Sequence, residues 1–152
     1  MRYDLLEPDK NNVEQSVQLL ADTVSELLAK SWLNIGQRTY GHNFNLHINS
    51  FIHTWLQGVT KIFVAYDDTD KPVGFAIGAL FRPLQFECSV LQIECYLAET
   101  PEVDKGLTDY ITNALRFFSV DEIWFIRPPH LEALAFPGWH EKEVLEFHRL
   151  EK

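Results

Sequence analysis

The stretch LQIECYLAETPEVDKGLTDYITNALRFF, residues 91–118, decides how the rest of the chain is interpreted. It opens with an apolar run rich in strand-forming residues, breaks at Pro101, and continues into a helical pattern of apolar positions. We predict a strand over residues 89–98 and a helix over residues 107–118. A turn from a strand into a helix N-terminus is a common anion site, because free backbone N–H groups and the helix dipole point at one spot. The first functional question is whether this turn still binds a phosphate.

The composition is that of one globular domain. The chain has 152 residues, of which 46% are apolar and 13% aromatic, enough for a substantial core and too apolar for disorder. We therefore predict a single domain over residues 1–152. No apolar run is long enough to cross a bilayer, and the first residues carry no apolar signal core. We expect a reduced, cytoplasmic protein without a membrane partner.

The charge balance restricts the partners. The chain carries 13 Lys and Arg against 22 Asp and Glu, a formal net charge of -9, and no window clusters Lys and Arg. Phosphate backbones are repelled by such a chain on average, so we expect no direct nucleic-acid binding. The aromatic residues, including four Trp and eleven Phe, favour a protein partner. The sequence leaves a homo-oligomer open.

Cysteine and histidine spacing predicts neither a disulfide nor a metal site. Cys88 and Cys95 face opposite ways in an extended chain, so a bridge between them is not expected. His42, His47 and His53 are close in sequence, but on a helix His47 and His53 fall on nearly opposite faces.

The other elements place this stretch in a mixed α/β order. Asn12 and Gln15 form a capping-box pattern. Gly74 and Gly78 share one face of a strand, which indicates the close approach of another backbone, a ligand or a tightly packed helix. The predicted elements are a strand over 2–7, a helix over 12–30, a second helix ending near Gly58, a hairpin in KIFVAYDD and VGFAIGALF, a strand over 122–126, a short helix in LEALAF, and a closing strand in VLEFHRL. Helices are then expected on both faces of one sheet.

This order resembles the GNAT acyltransferase superfamily over essentially the whole chain. The segments that carry the resemblance are IFVAYDDTDKPVGFAIGALF, CYLAETPEVDKGLTDYITNAL and AFPGWHEKEVLEFHRL, the last with Gly138–Trp139 in place of the family's Gly–Phe pair. The resemblance implies an α/β fold with a mixed, mostly antiparallel, splayed sheet flanked by helices on both faces. It also implies that acyl-CoA would bind in the gap between the fourth and fifth strands.

The family's cofactor motif, Gln/Arg-x-x-Gly-x-Gly/Ala, is degenerate here. It falls on residues 102–107, where Glu102, Lys105 and Leu107 replace the motif residues. Carboxylates at Glu102, Asp104 and Asp109 satisfy the helix dipole themselves and repel a diphosphate. We therefore expect no cofactor, with acetyl-CoA bound only if the protein is active. The residues that the resemblance would place on that cofactor are Leu97, Val103, Asp104, Lys105, Gly106 and Leu107.

The family's catalytic positions are only partly occupied. Many members have a Tyr general acid about four residues before the Gly–Phe pair, and that position is Leu134 here. Glu94 and Glu99 match the general base by type, and burial of Glu94 between apolar neighbours would raise its pKa. The favoured alternative is that Glu94 is simply the outward residue of a half-exposed strand. In an active enzyme the missing acid would be replaced by Tyr96, with Tyr110 and Cys95 as alternatives, and a backbone N–H near 96–98 would polarise the carbonyl.

Three functions follow from these features. The first is a binding or structural module that has lost acetyl-CoA-dependent transfer, for example a component of a phage particle or other assembly formed in the cytoplasm. The second is a divergent N-acetyltransferase that moves an acetyl group from acetyl-CoA to an amine. The third is a small inhibitor that masks a basic surface, which steep salt dependence would distinguish from an aromatic interface.

Overall fold

The computed structural model describes residues 1–31, 52–82, 88–114 and 118–125. The elements in chain order are β1 (Arg2–Leu6), α1 (Val13–Ser31), a helical segment at 52–56, β2 (Thr60–Tyr66), β3 (Pro72–Phe81), β4 (Val90–Ala98), α2 (Pro101–Ala114) and β5 (Glu122–Phe125). The predicted short helix in LEALAF, the closing strand, Leu134, Gly138–Trp139, His42 and His47 lie outside the described residues.

The strands in these ranges form one mixed sheet in the order β1-β2-β3-β4-β5. The pairs β1–β2, β2–β3 and β3–β4 are antiparallel, and β5 runs parallel to β4. The β4–β5 pairing runs from Val90 opposite Glu122 to Ile93 opposite Phe125, where the described part of β5 ends. The predicted mixed, mostly antiparallel sheet is confirmed.

Helices pack on both faces of this sheet, as the sequence predicts. On one face, here called the α1 face, α1 and the 52–56 segment bury side chains such as Val24 and Trp55 against Ile62 and Phe75. On the other, the α2 face, Leu107 and Ile111 pack against strand residues. The alternation of side chains along each strand therefore decides which face a candidate site residue reaches.

Two helix boundaries agree with their sequence signals. At the start of α1, Gln15 donates its backbone N–H to Asn12 Oδ1 (3.2 Å), and the Asn12 side-chain amide donates to Gln15 Oε1 (2.8 Å). After the 52–56 segment, Gly58 has a φ of 77°, the left-handed conformation that glycine adopts at helix ends. Both predicted signals are confirmed, within a residue or two of the predicted positions.

The β2–β3 hairpin turn is organised by Asp67. Its Oδ1 accepts hydrogen bonds from the Thr69 N–H (2.8 Å), the Thr69 hydroxyl (2.7 Å) and the Lys71 N–H (3.0 Å). These bonds, that of the Thr69 hydroxyl first, lower the pKa of Asp67. The Asp/Thr/Pro cluster predicts this turn. In the structure the Asp67 carboxylate stabilises it by accepting hydrogen bonds from backbone N–H groups of the turn.

The first turn of α2 lies directly on the sheet at Gly74. A side chain added at Gly74 would come within 2.6 Å of Val103 Cγ1 and 3.0 Å of the Leu97 carbonyl oxygen. Val103 itself is buried. The predicted close approach to Gly74 is thus made by a helix, and it holds the beginning of α2 against β3 and β4.

No helix within the described ranges is long and apolar enough to span a membrane.

Candidate functional site

The connection from β4 to α2 is only two residues long, Glu99 and Thr100. Thr100 caps the helix, because its Oγ1 accepts the Val103 N–H (3.2 Å) and its carbonyl accepts the Asp104 N–H (3.0 Å). Pro101 stands at the first helical position, where it has no N–H to offer. Among the backbone N–H groups of Pro101–Asp104, that of Glu102 is then the one that could still bind an anion, and the Glu102 side chain is itself acidic.

The predicted start of this helix is wrong. We predict a helix from residue 107, but the helix begins at Pro101, so residues 102–107 all lie within it. The physical reason is that Thr100 followed by Pro101 is a helix-start signal in its own right. Deeper in a helix each N–H bonds the carbonyl four residues earlier, so Lys105, Gly106 and Leu107 do not offer theirs to a ligand.

The side chains of the predicted cofactor loop have structural partners. Val103 and Leu107 are buried on the α2 face, and Lys105 is exposed. Gly106 lies against Tyr3 of β1, and a side chain added at Gly106 would overlap the Tyr3 hydroxyl. Gly106 therefore permits close contact between α2 and β1. This contact is a sufficient reason for a glycine at this position, and no bound phosphate is needed to explain it.

A double-mutant cycle tests the Gly106 contact. Gly106→Ala should lower the free energy of unfolding by about 1 kcal/mol, since overpacking outweighs the gain in helix propensity. In a Tyr3→Ala background the same change should instead stabilise by about 1 kcal/mol, because only the propensity gain remains. Urea unfolding measures both, with Lys105→Ala as a control for an exposed change in the same helix. Equal effects of Gly106→Ala in the two backgrounds would contradict the contact.

The start of α2 is electrostatically negative. Glu102 and Asp104 lie in its first turn, and Asp109 is exposed further along. Burial raises the pKa of Tyr3, and the negative charges of Glu102 and Asp109 raise that pKa further. The carboxylates of Glu102 and Asp109, from different turns of the helix, thus both act on the Tyr3 hydroxyl. They would repel an anion bound beside it.

Tyr96 joins β4 to α2 and β5 on the α2 face. It is 1% exposed, and its hydroxyl lies 2.6 Å from Asp104 Oδ1, 3.1 Å from the Asp104 carbonyl and 3.3 Å from Thr108 Oγ1. Its ring meets Phe125 edge to face, with centroids 4.8 Å apart. The hydroxyl predicted as a substitute general acid is therefore committed to the α2 helix.

Glu94 lies at a β-bulge and points to the opposite face. Ile77 pairs with Cys95 and Gly78 with Ile93, so Glu94 is the extra residue of β4. Its side chain is half-buried and accepts a hydrogen bond from the Gln92 side-chain amide (3.1 Å). It lines a cavity of about 170 Å³ on the α1 face, together with Thr54, Val59, Thr60, Ile77, Gly78 and Ala79. The bulge thus directs a carboxyl group into a small, mostly apolar space.

Burial raises the pKa of Glu94, in the direction that its apolar neighbours in the sequence predict. An acid that holds its proton more tightly when folded contributes stability below its unfolded pKa, about 4.3, and that stability is lost as the pH rises through the folded pKa. Glu94→Gln should therefore become progressively more stable than the wild type from about pH 4 to neutrality. Urea midpoints across this range measure it, with the exposed Glu99→Gln as a control for the lost charge. A constant difference would contradict the burial.

The structure does not bring the three predicted catalytic residues together. Glu94 faces the α1 side and Tyr96 the α2 side. Glu99 is exposed beyond the end of β4, five residues or roughly 16 Å along the chain from Glu94, and its N–H donates to the Val73 carbonyl (3.1 Å). Leu97, predicted to touch the cofactor, is buried in the α1-face core. Glu94 alone reaches the cavity.

The sequence did not identify the groups around Glu94. Thr54 and Thr60, whose hydroxyl oxygens are 2.6 Å apart, line its cavity, and Gln92 holds its carboxylate. The only signal for them is the Gln92–Glu94 alternation in β4, since the two threonines belong to other elements. Within the described ranges no group of three or more His, Cys, Asp or Glu side chains is placed to hold a metal ion.

Comparisons with known proteins extend the backbone description. No family model and no curated protein matches this sequence. Among solved structures, the chain is similar to a probable acetyltransferase, with a TM-score of 0.58, 15% identity, and coverage of 96% of this chain and 100% of that chain. It is also similar to an aminoglycoside acetyltransferase from an uncultured soil metagenomic sample in complex with trehalose, with a TM-score of 0.57, 14% identity, and coverage of 99% and 96%.

A third similar structure is a GNAT family acetyltransferase from Staphylococcus aureus, with a TM-score of 0.50, 10% identity, and coverage of 95% of this chain and 100% of that chain. At this level of identity the likeness lies in the order and pairing of helices and strands, which agrees with the sheet described above. The chain therefore has the GNAT acetyltransferase fold.

Proposed function

We propose that this chain is a GNAT-fold binding module that does not transfer acyl groups from acyl-CoA. The observation that carries the proposal is the connection of only two residues between β4 and α2. A diphosphate bound at a helix N-terminus needs several free N–H groups in a flexible loop or first turn. Here Pro101 has none, and those of Val103 and Asp104 are bonded to Thr100.

The electrostatics of α2 support the same conclusion. A diphosphate at this helix start would approach the carboxylates of Glu102 and Asp104, which already occupy the favourable end of the helix dipole. The exposed Lys105 offsets part of this charge, but it is a single cation on a fully formed helix. The shortage of free N–H donors and the negative charge at the start of α2 therefore both disfavour the binding of an anion there.

The region between β4 and β5 gives further support. The resemblance to GNAT enzymes would place acyl-CoA in the gap between these strands. In this chain the rings of Tyr96 and Phe125 are in contact at the end of the described pairing, and the Tyr96 hydroxyl is fixed to Asp104. In this proposal the contact between the two rings takes up part of that gap on the α2 face.

The module's partner is, in this proposal, a protein. The net charge of -9 favours a basic partner surface over nucleic acid or an anionic membrane. Membership of a phage particle or another assembly formed in the cytoplasm is one form of the proposal, and it rests on analogy with degenerate domains of this fold. Self-association remains compatible with it.

A second candidate function, N-acetyl transfer to an amine, is favoured by Glu94. A carboxyl with a raised pKa that lines a cavity at the bulge of β4 has the properties of a general base. In this alternative acetyl-CoA would be the donor and Glu94 would accept the amine proton. The position of Tyr96 on the other face leaves the departing thiolate without this acid.

A thiol-release assay distinguishes the two functions. Mixed with acetyl-CoA and a panel of amines that includes an aminoglycoside and a lysine peptide, the protein should release no CoA thiol above the uncatalysed rate. Release that is lost in Glu94→Gln and retained in Glu99→Gln would overturn the proposal in favour of the transferase. These two variants remove the same charge from a cavity position and from an exposed position.

A further inference from the structure

The strand β1 forms one edge of the sheet. Within the described ranges it pairs with β2 on one side, and no strand lies on its other side. The helix α1 packs over β3 and β4, and the side chains of Arg2 and Asp4 on the α1 face of β1 remain 53% and 46% exposed. An accessible edge of this kind is a template for pairing with a further strand.

The backbone groups of Tyr3 and Leu5 point away from β2. The Leu80 N–H of β3 donates to the Val59 carbonyl (2.9 Å), just before β2 begins. Because the bonding direction alternates from residue to residue along an antiparallel strand, odd-numbered residues of β2 bond β3 and even-numbered ones bond β1. The even-numbered residues of β2 pair with even-numbered residues of β1. The odd-numbered residues of β1 therefore direct their N–H and C=O groups to the edge.

The α1 face of β1 carries a cation and an anion two residues apart. Arg2 Nε donates to Asp4 Oδ2 (2.8 Å), and Arg2 Nη1 donates to Asp70 Oδ1 (2.6 Å). The guanidinium also lies over the Tyr66 ring, 4.4 Å from its centroid, which holds it near the strand. Ion pairs at exposed positions are weak, so Arg2 and Asp4 can exchange one carboxylate or guanidinium partner for another at little cost.

These two charges discriminate between the ways in which β1 could pair with β1 of a second copy. A continuous antiparallel sheet places a two-fold axis through one residue of β1. An axis at Arg2 or at Asp4 sets like charges directly opposite each other, which destabilises the pairing. An axis at Leu5 pairs neither charge with an opposite one. An axis at Tyr3 sets Arg2 opposite Asp4 of the second copy, and the symmetry makes this pair twice.

We propose that β1 pairs antiparallel with β1 of a second copy of this chain, in the register centred on Tyr3, so that the two sheets become one. Arg2 of each copy faces Asp4 of the other on the α1 face, and the Tyr3 backbones exchange hydrogen bonds. Charged side chains at an edge usually prevent pairing with other strands, whereas these charges match β1 itself in the reverse direction.

The dimer is expected to be weak and reversible. The strand has five residues, so the interface is small. The net charge of -9 on each copy, including the carboxylates of Glu102 and Asp109 that act on Tyr3, opposes the association. This inference does not depend on the proposed function.

Sedimentation velocity at about 0.15 M salt, over protein concentrations from about 1 to 300 μM, tests the pairing. We expect a dimer with a dissociation constant of about 10–100 μM, typical of a small interface. Arg2→Asp and Asp4→Arg each set like charges opposite one another and should weaken the dimer at least about tenfold. An equimolar mixture of the two variants places opposite charges at both pairs, and it should dimerise about as tightly as the wild type.

Lys10→Asp and Asp22→Arg are the matched controls, because they change the charge by the same amounts at exposed positions outside β1. Each should change the dissociation constant less than about twofold, and far-UV circular dichroism checks that every variant folds. A protein that stays monomeric at every concentration would overturn the proposal. So would a mixture of the two β1 variants that dimerises no better than either alone, or controls that weaken the dimer as much as the β1 variants do.

Discussion

Trp55→Ala is expected to lower the free energy of unfolding by about 3–5 kcal/mol, the usual cost of removing a large buried aromatic side chain. Trp55 is 1% exposed and lies in the α1-face core with Leu6 and Ile62. Its indole N–H also donates to the Leu6 carbonyl at 2.8 Å. The loss is a large fraction of the 5–15 kcal/mol that stabilises a typical domain, so guanidinium or urea unfolding measures it directly.

Trp55→Phe is the matched control, because it keeps an aromatic ring and removes the N–H. It should cost less than Trp55→Ala, because most of the ring packing remains. Its own cost should be about 1–3 kcal/mol, because the Leu6 carbonyl loses its indole donor. Leu19→Ala, at an exposed position of α1, should stay within about 0.5 kcal/mol. A cost for Trp55→Ala no larger than that of Leu19→Ala would contradict the described core.

Trp55 also connects the core to the candidate site. The neighbouring Thr54 lines the cavity and shares a hydrogen bond with Thr60. Because Trp55 fixes the 52–56 segment on the sheet through Leu6, it positions one wall of the cavity. Hydrogen exchange at residues 52–59 should accordingly be faster in Trp55→Ala than in Leu19→Ala.

The elements with strong local patterns were predictable from the sequence. The β2–β3 hairpin follows from two runs of strand-forming residues around a turn whose Asp67 caps it, and α1 follows from its apolar period and its capping residues. In these segments local propensity and tertiary packing favour the same conformation.

The start of α2 was not predicted, although its signal was present. Pro101 was interpreted as a break after β4, whereas Thr100 and Pro101 together begin the helix. The polar residues after Pro101 indicate a turn by their composition, and this favoured a boundary at residue 107. The role of Gly106 was not predictable from the sequence either. A side chain at this position would overlap Tyr3, which is distant in the sequence and is brought close only by the fold.

The site was predictable only in part for a similar reason. The neighbours Ile93 and Cys95 left two interpretations of Glu94, a buried carboxyl and, favoured between the two, the outward residue of a half-exposed strand. The structure shows a half-buried side chain whose pKa burial raises. Its direction was not predictable, because the bulge that turns it into the cavity exists only in the pairing of β4 with β3. The faces of Tyr96 and Glu94 follow from that same pairing.

The proposed binding module differs from an acetyltransferase most directly in a β4–α2 connection that does not hold a diphosphate. Two causes are proposed, the shortage of free N–H donors at Thr100–Asp104 and the carboxylates of Glu102 and Asp109 nearby. They predict different behaviour when the charge is removed. The double variant Glu102→Gln with Asp109→Asn should still fail to bind, because the donors remain engaged in the helix.

Calorimetric titration of the wild-type protein with acetyl-CoA is the most direct measurement. We expect no saturable heat up to about millimolar cofactor, which corresponds to a binding free energy weaker than about -4 kcal/mol. The double variant should behave in the same way. Saturable binding in the micromolar range, about -8 kcal/mol, would contradict the central claim and favour the acetyltransferase.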